Sequence, residues 1–226
     1  DVEAGAASTL AINGGDGQSG QVTSTLSSAL EVKVTDAEDN PVSGETVSFS
    51  ITGAPSGASG QGLSSASATT DGNGRASVAL TLGDKTGPYE VTASASGLSD
   101  VVFGATATPG PPAAVAVGTI PSTQTVGQPF DVPLTVEDAN GNVVPSYSGT
   151  LNLDLTQGSS ISPTSTDFAA SDDGTKTVQV TLTDAATSEE ITATADSDNS
   201  ISGTSDPFDV EAGAASTLAI NGGDGQ

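Results

Sequence analysis

Residues 30–42, LEVKVTDAEDNPV, decide the fold. Leu30, Val32 and Val34 fall on one parity and Glu31 and Lys33 on the other, the period of two that sends successive side chains to opposite faces of a strand. An antiparallel sheet with one buried and one wet face requires that alternation. The run breaks over residues 36–41, where Asp and Asn offer local hydrogen bonds to a turn and proline removes a backbone donor.

Working outward, Val78, Leu80 and Leu82 repeat the device, and Asp71-Gly72-Asn73-Gly74 reads as a tight turn linking neighbouring strands, because Gly and Asn accept positive φ. The pattern predicts strands at 9–13, 29–35, 46–52, 60–69, 75–82, 89–96 and 101–108. A second set follows at 113–117, 130–137, 149–155, 165–170, 175–183, 190–195 and 203–210, and no segment has a helical period. Seven short strands per roughly 100 residues describe a β-sandwich.

The chain also repeats itself. Val34-Thr35-Asp36-Ala37 matches Val136-Glu137-Asp138-Ala139, and Glu90-Val91-Thr92-Ala93 matches Glu190-Ile191-Thr192-Ala193, so the two sets are diverged halves. Residues 1–18, DVEAGAASTLAINGGDGQ, recur letter for letter at 209–226, an offset of 208 residues. We therefore expect one 208-residue unit and the opening of the next, as in a tandem array. The expected organisation is a sandwich at 1–108, a stiff Pro-rich linker at 109–112 (PGPP), a second sandwich at 113–210, and the start of the following repeat at 209–226.

Composition narrows the function. Against 28 Asp and Glu stand 4 Lys and Arg, a net charge of −24, which excludes nucleic acid and argues against anionic membrane surfaces as partners. With aromatics at 3% and no Trp, Met or Cys, the cores must be built from Val, Leu, Ile, Ala and the five Phe, without disulfides. No apolar run approaches the roughly 18 residues of a membrane span and no signal peptide is apparent, as the interior of a longer array would lack one.

Leu30-Glu31-Val32-Lys33-Val34-Thr35, then Asp36 with Asp39-Asn40-Pro41-Val42 and Gly44, then Val47 and Phe49, form one pattern in the first half, which Thr70-Asp71, Asn73-Gly74, Ala76, and Gly87, Tyr89 and Val91-Thr92-Ala93 continue. On these residues the first half resembles the bacterial immunoglobulin-like domains of the invasin and intimin type, often called Big-1. The second half keeps Val136-Glu137-Asp138-Ala139-Asn140-Gly141-Asn142 and looks like a more distant relative. The resemblance implies an all-β chain of two tandem immunoglobulin-like antiparallel sandwiches, non-enzymatic, displayed outside the cell as spacer or adhesive modules.

The inventory of chemistry agrees. Without His or Cys the usual nucleophile–base pairs are missing, and without Trp no aromatic platform holds a sugar beside paired carboxylates. No catalytic residue is assigned. Acids do concentrate in loops that a seven-strand sandwich returns to one pole: Asp36, Glu38 and Asp39, then Asp71, then Asp100, with Asp209 and Glu211 (twins of Asp1 and Glu3) in the linker entering the first half. Asp36, Asp39, Asp71, Asp100, Asp209 and Glu211 are thus candidate calcium ligands at the junction between repeats, where a bound ion would stiffen the array. The alternative is that these acids simply solvate and cap turns. Lys176 is the one candidate for an isopeptide crosslink, although its place at a strand's start lets it reach solvent.

These readings converge on a structural repeat of an extracellular, cell-surface fibre, stalk or adhesin shaft acting as a rigid spacer, whose partners are neighbouring repeats. Two alternatives stay open: a non-covalent filament of identical subunits joined by strand exchange, and a module that binds a glycan or surface receptor.

Overall fold

A computed structural model describes residues 4–157 and 160–214. The chain divides into two compact units, 1–110 and 111–226. The first contains β1 (Thr9–Gly14), β2 (Gln18–Gln21), β3 (Leu30–Thr35), β4 (Thr46–Gly53), β5 (Gly62–Leu63), β6 (Ser67–Thr69), β7 (Arg75–Val78), β8 (Leu80–Thr81), β9 (Gly87–Ala95) and β10 (Val101–Thr108). They form a three-stranded sheet β1-β3-β7, a five-stranded sheet β2-β10-β9-β4-β6 and a short β5-β8 ladder. All pairs are antiparallel except β2 with β10.

The second unit contains β11 (Pro112–Val117), β12 (Thr123–Thr125), β13 (Phe130–Asp138), β14 (Gly149–Leu155), β15 (Ile161–Ser162), β16 (Ser165–Phe168), β17 (Thr175–Leu182), β18 (Ala186–Glu189), β19 (Ile191–Ala195), β20 (Asp198–Thr204) and β21 (Phe208–Glu211). Its sheets run β11-β13-β17-β15, β16-β14-β19-β20 and β12-β21-β18, again with one parallel pair, β12 with β21.

Alternation becomes burial in the expected phase. Leu30, Val32 and Val34 of β3 are fully buried, and Val47 and Phe49 of β4, Tyr89, Val91 and Ala93 of β9 and Phe103 of β10 close on them from the facing sheet. Val132, Leu134 and Val136 of β13, with Leu151, Leu153, Val180, Ile191 and Phe208, build the corresponding core of the second unit. At about 1.5–3 kcal/mol for each large aliphatic side chain buried, these two clusters are the main stabilising terms.

The structure corrects several sequence expectations. Residues 60–69 are not one strand: β5 pairs with β8, while β6 pairs with β4 in the other sheet. The Asp71–Gly74 turn therefore connects strands of opposite sheets rather than a hydrogen-bonded hairpin. The 165–170 strand ends at Phe168 and gives way to a single 3-10 turn, Ala170–Asp172. The strand expected at 203–210 is interrupted at residues 205–207, whereas the one expected at 190–195 stands as Ile191–Ala195. Strands β2 and β12 had no sequence signal at all. The expected new strand in residues 215–226 lies outside the described residues.

Candidate functional site

The pairing registers gather the first unit's acids at one end. Lys33 opposite Arg75, Thr46 opposite Thr69 and Val47 opposite Ala95 place the loops after β3, β6 and β9, carrying Asp36, Asp71 and Asp100, on the same pole. What happens there is turn-building. Asp36 is 2% exposed, and its carboxylate accepts four hydrogen bonds: from the Gly5 amide (2.7 Å), the Glu38 amide (3.0 Å), the Asn40 amide (2.9 Å) and Asn40 Nδ2 (3.1 Å). The Gly5 amide contributes most to holding the Asp36 carboxyl below the usual Asp range, with burial opposing it and the Asn40 and Glu38 donors adding to it.

Asp71 behaves similarly in the open. Its Oδ1 accepts from the Asn73 amide at 2.8 Å and the Arg75 amide at 2.9 Å, and the Arg75 amide bond leads in lowering its pKa. Asp39 is exposed with φ of 64°, its amide donating to the Asp36 carbonyl at 3.2 Å. Asp100 is exposed. In the second unit Asp138 copies Asp36: it is 3% exposed and accepts from the amides of Asn140 (2.8 Å) and Asn142 (2.9 Å) and from Asn142 Nδ2. The recurring Asp-x-x-x-Asn spacing is thus a turn in which one carboxylate collects the amides of its own loop.

Asp209 and Glu211 lie on β21 in the second unit. Asp209 Oδ1 accepts from the Ser188 amide at 2.9 Å, so it caps an irregularity in β18, and Glu211 is exposed. Asp1 and Glu3 fall outside the described residues. Among the described residues, no three carboxylates converge to the spacing a metal ion needs. Lys176 extends to the Asp167 carbonyl (2.6 Å) and Asp172 Oδ2 (3.2 Å) with its ammonium 5.8 Å from the centre of the Phe168 ring, an ion pair at the margin of the core.

Sequence reasoning overlooked two features. Glu189 is fully buried, accepting from the Gln157 amide (2.9 Å), Thr156 Oγ1 (3.2 Å) and the Glu190 amide (3.2 Å). It ties the loop after β14 to β18. The other is the way residues 5–18 are held. Asn13 Nδ2 donates to Glu31 Oε1, Asp16 Oδ1 accepts from the Gly104 amide at 2.8 Å, and the Gln18 side chain bonds Gly15 and Ser28.

Comparison with known proteins fits this geometry. The family described as Bacterial Ig-like domain (group 1) matches residues 25–108. No curated protein matches the chain. Among solved structures, the Escherichia coli adhesin FdeC is 22% identical with a TM-score of 0.50, over 94% of this chain and 67% of its own. InvD of Yersinia pseudotuberculosis is 21% identical (TM-score 0.46; 91% of this chain, 58% of that one). Invasin, a bacterial integrin-binding protein, is 23% identical (TM-score 0.37; 89% and 38%). The chain spans about two thirds of FdeC and less of the other two, and the fold likeness rests on FdeC. Residues 25–108 match the bacterial Ig-like domain (group 1) family, and the chain has an immunoglobulin-like fold similar to that of the adhesin FdeC.

Proposed function

We propose that this chain is a structural repeat of an extracellular, cell-surface fibre or adhesin shaft, in which a two-sandwich unit of 208 residues recurs as a spacer. The observation that carries the reading is the identity of residues 1–18 with 209–226. Strand β21 ends at Glu211, and Gly213 is the twin of Gly5, whose amide bonds Asp36, so only Ala212 separates the end of one unit from the first contact of the next. Each unit has its own core, so units fold independently while a linker this short limits their relative freedom.

The role is mechanical rather than catalytic. The chain contains no His or Cys, Asp36 and Asp71 with their lowered pKa values serve turns, and its charge of −24 keeps neighbouring shafts apart and soluble. The reading is tested by small-angle scattering on proteins carrying one, two and four copies of the 208-residue unit. The maximum dimension should grow linearly with copy number, and growth as the cube root of mass would reject a spacer.

A further inference from the structure

Strands β4 and β9 lie side by side, with Val47 opposite Ala95 in the core and Ser48 opposite Ser94 on the outer side of the sheet. The serine pair floors a hollow of about 540 Å³, walled by Gly44, Glu45 and Thr46 where β4 begins and by Ser96 just beyond the end of β9. That volume lies within the range of about 300–1,000 Å³ typical of small-molecule sites. The wall carrying Glu45 is fixed from beneath by Thr70, which is 4% exposed. Its hydroxyl donates to the Val42 carbonyl (2.7 Å) and accepts from the Glu45 amide (2.9 Å), its amide donates to the Glu45 carbonyl (2.9 Å), and its carbonyl accepts from the Gly44 amide (2.9 Å). Glu45 is thus held through its main chain alone.

The polar groups around the hollow are unspent. Among the described residues, the half-buried Glu45 carboxylate has no ion pair or hydrogen-bond partner, and the hydroxyls of Thr46, Ser48, Ser94 and Ser96 bond nothing else in the protein. Hydroxyls elsewhere in the same unit are engaged: Thr52 and Thr92 bond each other at 3.0 Å, Ser64 accepts from the Ala79 amide at 2.9 Å, and Ser65 donates to the Ser67 carbonyl at 2.7 Å.

This chemistry selects the ligand. No cation is among the described lining residues, and the hollow opens at the pole that carries Asp36, Asp71 and Asp100, whose field draws cations and repels anions. A metal ion fits poorly, because calcium gathers about six to eight oxygens and the lining offers one carboxylate. An apolar ligand finds only Ala95. An organic cation that also carries hydroxyls meets both demands: hydrogen bonds to an ionised carboxylate are roughly twice as strong as neutral ones, and serine and threonine hydroxyls both donate and accept, as a sugar's do.

We propose that this hollow binds a saccharide bearing a free amino group, with Glu45 pairing with the ammonium and Thr46, Ser48, Ser94 and Ser96 bonding the ring hydroxyls. The hollow is open and no aromatic side chain lines it, so a single site binds weakly, in the millimolar range. Its floor of two serines leaves the room a ring needs, and a large side chain in place of either would fill it.

The test is an amide NMR titration of the 226-residue chain with glucosamine at constant ionic strength, in slightly acidic buffer that keeps the amine protonated. Glucosamine should shift the amides of residues 44–48 and 94–96 saturably, and glucose and N-acetylglucosamine should bind about tenfold more weakly or worse. Glu45→Gln should lose about tenfold or more, and Ser48→Leu, which fills the hollow, should abolish the shifts. Both variants should melt with wild type, since neither side chain bonds within the protein; if Ser48→Leu melts lower, Glu45→Gln decides. Nα-acetyl-lysine amide supplies the ammonium without the hydroxyls. If it or N-acetylglucosamine binds as tightly as glucosamine, the proposal is overturned. Unchanged binding in Glu45→Gln, shifts spread over the acidic surface instead of this hollow, or no saturable shift at all overturns it as well. None of these outcomes touches the copy-number scaling of the spacer, so the two readings fall separately.

Discussion

Gly203 of β20 meets the carbonyl oxygen of Val115 in β11 so closely that a Cβ on Gly203 would lie 1.6 Å from it. These are the outer strands of two different sheets, so the contact is where the second unit's sheets converge at one edge. Gly203 also pairs with Ala193 of β19, which prevents β20 from backing away.

Gly203→Ala should therefore cost about 3 kcal/mol, the upper range of overpacking, because the clashing atom is backbone and cannot rotate aside. For a domain of this size that corresponds to a fall of roughly 10 °C or more in the melting temperature. Gly62→Ala, where a Cβ meets nothing within 4 Å, is the control and should stay within about 0.5 kcal/mol. Equal melting temperatures for the two variants would show that β20 and β11 separate freely.

The reach of the sequence has a physical boundary visible in particular strands. Where one face is buried, alternation located the strand to within a residue or so: 46–52 became Thr46–Gly53, and 101–108 and 149–155 stood unchanged. Strands β2 (QSGQ) and β12 (TQT) have no fully buried residue, since each pairs in parallel at a sheet margin, and so leave no apolar period to detect. The acidic pole was legible from strand order. That Asp36 spends its lone pairs on four amide donors was not, because three of those donors are backbone and carry no side-chain letter. Glu189 escaped because Ser188, at φ of 54°, shifts the parity of the strand and turns an apparently surface glutamate inward.

Acidification should weaken the fold through its turn carboxylates. Asp36, Asp71, Asp84, Asp172 and Asp198 all have pKa values lowered, led by the amides of Gly5, Arg75, Ser59 and Ala169 and by the Ser200 side chain respectively. With folded values below unfolded ones, the unfolded chain takes protons first. Their stabilisation is thus complete above the ordinary Asp pKa of about 3.9 and is lost as pH falls through the folded values. Thermal melts at several pH values should show a decline below about pH 4. Asp36→Asn should melt lower than wild type at neutral pH, with the gap closing in acid. A gap that stays constant down to the lowest pH would contradict the assigned role.

Calcium is the next test of the pole. Asp36, Asp71 and Asp209 already accept amide hydrogen bonds, and we expect melting at physiological salt to be the same in calcium as in chelator. An ion present at a hundred times its Kd would stabilise by about 2.7 kcal/mol, a shift far outside error. A rise of several degrees, removed by Asp36→Asn or Asp39→Asn, would establish a metal site at the junction.

Glu189 offers the sharpest separation of a buried acceptor from a buried volume. It is fully buried and receives the amides of Gln157 and Glu190 and the hydroxyl of Thr156, so the loop after β14 is fastened to β18 through one side chain. Glu189→Ala removes the volume together with these bonds and should cost about 3 kcal/mol. Glu189→Gln keeps the shape and one acceptor oxygen, and should cost about 1 kcal/mol. Glu189→Leu fills the space yet accepts nothing, and should fall nearer to alanine. Urea midpoints of the three variants rank them directly. If leucine matched glutamine, packing rather than acceptance would be what holds the loop.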